Sequence, residues 1–184
     1  GWRSKAVNYL KIRGGWSQVG ADANPYQLAT VFTSETAFNG NPLQSSSTIG
    51  MNPILEPEKT SSIEAGFEAA FWDNRLYLDF TYYKTDSRNQ ILKLATTAAS
   101  GYTSQVRNAG HIRNRGYEIQ LGAVPIQTSK GFRWNLDLNY GANSSKVVKL
   151  DDEGLITSYQ LYSSGIQILA SVGEAYGTLF GTSY

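Results

Sequence analysis

Cysteine is absent from the 184 residues, which removes disulfides, thiolate metal sites and cysteine nucleophiles. Histidine occurs once, at His111, so a histidine metal site or a Ser-His-Asp triad has almost no material. Charge is nearly balanced at +1, without the basic patch that nucleic acid requires. Long hydrophobic runs are also missing. Residues 36–55 and 154–173 lack charge, but Asn, Pro, Ser, Gln and Gly crowd them, so neither reads as a membrane-spanning helix. Residues 1–20 hold no continuous apolar core of a signal peptide, and the start at Gly1 reads as a chain already under way. No helical period of useful length and no fixed-length repeat is found.

What the sequence does contain is alternation. One register reads Ile63, Ala65, Phe67, Ala69, Phe71; then Leu76, Leu78, Phe80, Tyr82; then Tyr117, Ile119, Leu121, Ala123; then Phe132, Trp134, Leu136, Leu138, Tyr140. It carries no charge. The interleaved register holds Glu64, Glu68, Asp79, Glu118, Arg133 and Asp137. Successive side chains on a strand point to opposite faces, so these are strands with one greasy and one wet face.

The spacing predicts strands over about 6–19, 60–72, 75–86, 114–124 and 132–143, the last extending towards Leu150, with a sixth over 171–184. The connections at 20–59, 87–113 and 151–168 are expected to be long and irregular. Those at 72–75 and 125–131 are short, and Asp73-Asn74 tolerates positive φ in a tight hairpin. In a meander, successive connections lie at opposite ends of the sheet, so all the long ones share one end. A soluble β-sandwich serving as a carbohydrate-binding module also alternates, but it has no physical reason for that sidedness. Outer-membrane barrels have it as a rule. A mean hydropathy of −0.33 fits them, because only alternate residues face lipid. Aromatics near strand ends, such as Phe71, Trp72, Tyr82, Tyr83, Phe132 and Tyr140, suit interfacial girdles. About six strands are too few to close such a barrel, so the chain is expected to be a segment of a larger one.

Several runs carry a resemblance. They are Leu-Glu-Pro-Glu-Lys-Thr-Ser-Ser-Ile-Glu-Ala-Gly-Phe-Glu (55–68), Asn-Arg-Leu-Tyr-Leu-Asp-Phe-Thr-Tyr-Tyr-Lys-Thr (74–85) and Val-Arg-Asn-Ala-Gly-His-Ile-Arg-Asn-Arg-Gly-Tyr-Glu-Ile (106–119). Residues 132–140, 172–181 and 10–26 fit the same pattern. Together they make the chain resemble the barrel of SusC/RagA-like TonB-linked outer-membrane proteins along its whole length. The resemblance implies an all-β, antiparallel, 22-stranded transmembrane barrel occluded by a plug, in the outer membrane of a Gram-negative-type cell. It further implies import of oligosaccharide or peptide driven through TonB, and a SusD-like surface lipoprotein as partner. Signal peptide, TonB box, plug and most strands are not in this sequence.

On this reading Phe67, Phe71, Leu76, Leu78, Phe80, Ile119, Leu121, Trp134, Leu136 and Leu138 face lipid. Glu64, Glu68, Asp79, Glu118, Arg133 and Asp137 line the lumen or hold the plug. No catalytic residue is expected. Glu64 and Glu68 lie too far apart along a strand for an acid/base pair, and His111 reads as loop packing. Asp151-Asp152-Glu153-Gly154 offers oxygens to Ca²⁺ without the spacing of a calcium loop, so no cofactor or metal is expected. Aromatics in the long connections (Tyr26, Phe32, Phe38, Tyr102, Tyr159, Tyr162) are the candidate contacts to substrate or lipoprotein, because exposed rings stack on sugars and side chains. Of these, Tyr102, Tyr159 and Tyr162 are the leading candidates.

Overall fold

The computed structural model describes residues 6–151, 154–164 and 166–181, and among these it contains no α-helix. Its strands are β1 (Val7–Ala21), β2 (Phe32–Phe38), β3 (Asn41–Ser46), β4 (Ile49–Gly50), β5 (Glu58–Phe71), β6 (Leu76–Ala95), β7 (Ser104–Gln127), β8 (Arg133–Lys149), β9 (Ser158–Ser164), β10 (Ile166–Ser171) and β11 (Thr178–Phe180). A single 3-10 turn lies at Ala98–Ser100. One sheet runs β1-β5-β6-β7-β4, with β8 paired to β7. The β2–β3 hairpin and the β9–β10–β11 strands form separate sheets.

The chain divides into two units. The first comprises residues 1–18, 61–86 and 113–145, and the second residues 19–60, 87–112 and 146–184. Both short turns fall in the first unit, and every long connection falls in the second. That is the sidedness expected from the sequence.

The first unit is one layer of sheet. Among its described residues the buried apolar ones are Ala69 and Ala70 alone, while Leu10, Ile12, Trp16, Ile63, Trp134, Leu138 and Tyr140 are exposed. A sandwich would press a second sheet onto that face, and none covers it, so the sandwich reading finds no support. The turn at 72–75 holds Trp72, Asp73 and Asn74 at φ 50, 55 and 61. Asn8 secures it: its Oδ1 accepts from the Asp73 amide at 2.8 Å and from the Asn74 amide at 3.4 Å.

The second unit has the core. Val147, Leu150 and Ala170 are buried together, with Ile156, Tyr159 and Leu161 packed against them. Here the sequence-based expectations need correction. Residues 87–113 are mostly strand rather than loop, since β6 runs to Ala95 and β7 starts at Ser104. Asn89 (φ 57) and Gly110 (φ 87) take left-handed backbone within those strands. Such irregularities shift the alternation and hide the strand from a period-two reading. Residues 20–59 contain the β2–β3 hairpin, turned by Asn39-Gly40 at φ 50 and 81, and the short β4. Residues 158–164 are a strand. Among the described residues 171–181 the long sixth strand is not found. After β10, Gly173 (φ 92) and Gly177 (φ 84) turn the chain, and β11 pairs back onto β10.

The two most specific sequence runs meet in this unit. Asn108 Oδ1 accepts from the Glu56 amide at 2.7 Å, and its Nδ2 donates to the carbonyls of Glu56 (2.6 Å) and Asn89 (3.0 Å). Asn89 Nδ2 in turn donates to Glu56 Oε2 at 3.0 Å, and the Ile91 amide donates to Glu58 Oε1 at 2.8 Å. The Asn-Ala-Gly and Glu-Pro-Glu runs are thus two halves of one clamp. It fixes the return of the long connection onto the left-handed positions of β6 and β7. Asn108→Ala is expected to ease local opening by about 1–3 kcal/mol. Limited proteolysis of the protein should then cut within 22–57 roughly tenfold faster or more. An unchanged cleavage rate would contradict the clamp.

Candidate functional site

The wet face of the first unit is organised by Arg13. Its Nη1 donates to Glu68 Oε1 at 2.9 Å, and its Nη2 donates to Asp79 Oδ1 at 2.5 Å and to Thr81 Oγ1. Lys11 Nζ adds a second cation to Glu68 Oε1 at 3.0 Å. One planar guanidinium therefore ties β1 to β5 and β6, in the fork geometry that suits carboxylates. Arg13, Glu68 and Asp79 are half-buried, while Lys11 is exposed.

Glycine makes the room. A Cβ on Gly66 would lie 3.1 Å from Arg13 Nε and 2.6 Å from the Phe80 carbonyl. A Cβ on Gly116 would stand 2.5 Å from Tyr83 Oη, and one on Gly122 would touch Tyr77 and Asp137. Long side chains of neighbouring strands thus lie flat over the glycines of this face. Beside them opens a polar cleft of about 360 Å³, lined by Arg13, Asp79, Thr81, Glu118, Gln120 and Asn139.

Of the residues expected on this wall, Glu68 and Asp79 share Arg13, Glu118 joins them at the cleft, and Asp137 sits by Gly122. Glu64 is exposed on β5 and not in the cleft. Arg133 donates to Asn135 Oδ1 at 2.9 Å on its own strand. Arg13, Lys11, Thr81 and Tyr83 were absent from the expected set. Their signal is present in β1 and β6, where they hold the same register as the charges already assigned to this face. On the opposite face Phe67 stacks near Phe80 at 5.7 Å, Phe71 lies near Trp72 at 6.0 Å, and Tyr117 lies near Tyr140 at 5.9 Å. Trp134, Leu136 and Leu138 are exposed there. Leu76, Leu78, Ile119 and Leu121 are half-buried by their neighbours.

In the second unit the loop aromatics separate. The Tyr102 ring lies against Gly50, where an added Cβ would stand 3.2 Å away. Tyr159 packs on the Val147–Leu150–Ala170 core and lines a cleft of about 740 Å³ with Lys93, Thr103, Leu155 and Gln167. Tyr162, Phe32, Phe38 and Tyr26 are exposed. Burial holds the Tyr176 hydroxyl above its ordinary pKa, and Tyr159 and Glu58 raise it further. His111 is buried beside Arg88, Lys149 and Asp151 around a cavity of about 210 Å³. Asp151 Oδ2 accepts from the amides of Leu155 (2.9 Å) and Ile156 (3.1 Å), which folds the turn. The Asp152 and Glu153 of the Ca²⁺ expectation lie outside the described residues.

A family model described as TonB dependent receptor-like, beta-barrel, matches residues 1–184. TonB-dependent receptor P3 of Formosa agariphila is 29% identical over 188 residues, covering 98% of this chain and 19% of that protein. TonB-dependent receptor P26 of the same organism is 27% identical over 182 residues, covering 95% and 18%. The solved RagAB peptide transporter superposes with a TM-score of 0.76 at 23% identity, over 94% of this chain and 19% of its own, which is a likeness of fold. The chain spans about a fifth of the length of the curated relatives it matches.

Arg13→Met leaves Glu68 and Asp79 facing each other with one cation fewer. It is expected to lower the urea midpoint of the refolded protein. Arg13→Lys, which cannot fork, should recover only part of the loss. An unchanged midpoint in Arg13→Met would show that the network carries no stability.

Proposed function

The chain belongs to the TonB dependent receptor-like β-barrel family, whose members are outer-membrane proteins, and from this premise we propose that it supplies wall and outer loops to an active nutrient importer. The observation that carries the proposal is the single-layer sheet of the first unit. One of its faces is apolar and uncovered, while the other is a network of charges. Hydrocarbon accepts such a face, provided the ladder continues into further strands that close the barrel. Phe67, Phe71, Phe80, Trp134, Leu136 and Leu138 then meet lipid. Glu64, Glu68, Asp79, Glu118, Arg133 and Asp137 meet the lumen and the plug.

The whole receptor would carry the plug and take its energy through TonB, with a SusD-like lipoprotein over the long connections, as the resemblance implies. Oligosaccharide and peptide are the substrate classes, and a structural neighbour described as a peptide transporter supports the second. The curated relatives are receptors rather than enzymes, and we infer no catalysis here. Among the leading loop aromatics, Tyr162 presents its ring most openly, with Tyr102 and Tyr159 braced behind by Gly50 and by the core.

Uptake of labelled oligosaccharides and peptides by cells carrying the whole receptor tests this. Uptake of one class is expected, and it should vanish in cells without TonB. Tyr162→Ala should raise the half-saturating concentration several-fold while leaving receptor abundance unchanged. Uptake that persists without TonB would overturn the proposal.

A further inference from the structure

The charge-free register of the first unit stops at tyrosines and then reverses character. On β6, Leu78, Phe80 and Tyr82 are followed on the same face by Lys84 and Asp86. On β7, Ile119 and Tyr117 are followed by Arg115 and Arg113. Tyr83 over Gly116, Tyr77 over Gly122, Arg113 on Asp86 and the Val124 amide on the Arg75 carbonyl all agree on one antiparallel register. That register sets Tyr82 opposite Tyr117 and Lys84 directly opposite Arg115.

Like charges facing each other across a strand pair destabilise a sheet. The nearby carboxylate is already engaged: Asp86 accepts from Arg113 Nε at 2.8 Å and pairs with Lys84 Nζ at 3.4 Å. Arg115 has no ion pair among the described residues and is exposed. Beside it lies a cleft of about 390 Å³ with a mostly apolar lining, between Tyr82, Tyr117, Ala142 and Ser144. Guanidinium, ammonium, two phenol rings and an apolar floor are thus presented at the edge of the apolar belt. This edge is the one away from both short turns, which in outer-membrane barrels is the outer leaflet.

We propose that Arg115 and Lys84 bind the phosphate of an acylated glycolipid headgroup in the outer leaflet. The inference rests on the outer-membrane reading above. The phosphate bridges the two opposed cations in a charge-assisted fork. Tyr82 and Tyr117 sit at headgroup depth, and the acyl chains continue down the apolar register. The anion removes the repulsion that the bare receptor carries.

The test uses the whole receptor, delipidated in mild detergent, with native mass spectrometry of retained lipid. The probes are bisphosphorylated lipid A, the same lipid dephosphorylated, and inorganic phosphate. The wild type should retain the phosphorylated lipid, and removal of the phosphates should weaken retention at least tenfold. The double variant Arg115→Gln, Lys84→Gln should lose a similar factor. Lys130→Gln, in the turn at the opposite end, should retain lipid as the wild type does. Arg115→Gln alone removes one of the opposed charges, so it should raise the melting temperature of the lipid-free receptor while lowering the gain on adding lipid. Equal retention by the double variant overturns the site, as does displacement of lipid by millimolar inorganic phosphate, which would mark a free-anion site. Failure of the outer-membrane reading is separately visible, as a receptor that does not fractionate with outer membranes.

Discussion

A sheet with no second layer has to satisfy its two faces by different means, and the first unit is built around that constraint. In the first unit the ladder satisfies the backbone. The apolar side chains must then be satisfied by the medium, because among the described residues only two alanines are buried. The polar side chains are satisfied by each other. Arg13 does most of that work by collecting Glu68, Asp79 and Thr81 from two strands.

The glycines of the wet face belong to the same solution. A single-layer sheet needs no bulk on its polar face, and Gly66, Gly116 and Gly122 let Arg13, Tyr83 and Tyr77 lie across it. The second unit obeys different rules. Its strands fold over a small apolar core and are locked by side-chain amides such as Asn108, as a water-exposed loop assembly requires. A left-handed Asn89 and Gly110 in β6 and β7 mark where that locking joins the ladder, which itself continues to Thr96 and Thr103.

Much of this was legible in the sequence because period-two alternation is a strong signal wherever one face is uniformly apolar. The registers of β5 to β8, the turn at Trp72–Arg75 and the sidedness of the connections were all readable. The upper parts of β6 and β7 were not. They carry buried apolar residues such as Leu94, Val106 and Ile112 among Arg, Asn and Gln without a regular period, and the left-handed positions break the alternation. The β2–β3 hairpin hid for a related reason, since Pro42 and the Asn-Gly turns read as a broken ladder although Pro42 sits on a strand of a two-stranded hairpin. Arg13 was missed because a cation in an alternating strand announces a face but not its partners. Those partners come from strands about fifty-five and sixty-six residues away.

The central claim is that one face of the first unit meets hydrocarbon and the other water. Because this stretch has no native cysteine, a nitroxide scan of single cysteines over 133–140 in the bilayer-reconstituted receptor tests it directly. Collision with oxygen should peak at positions 134, 136, 138 and 140. Collision with a water-soluble nickel complex should peak at 133, 135, 137 and 139, in opposite phase. Nickel accessibility that is high at Trp134, Leu136 and Leu138, or two profiles in the same phase, would contradict a lipid-facing wall.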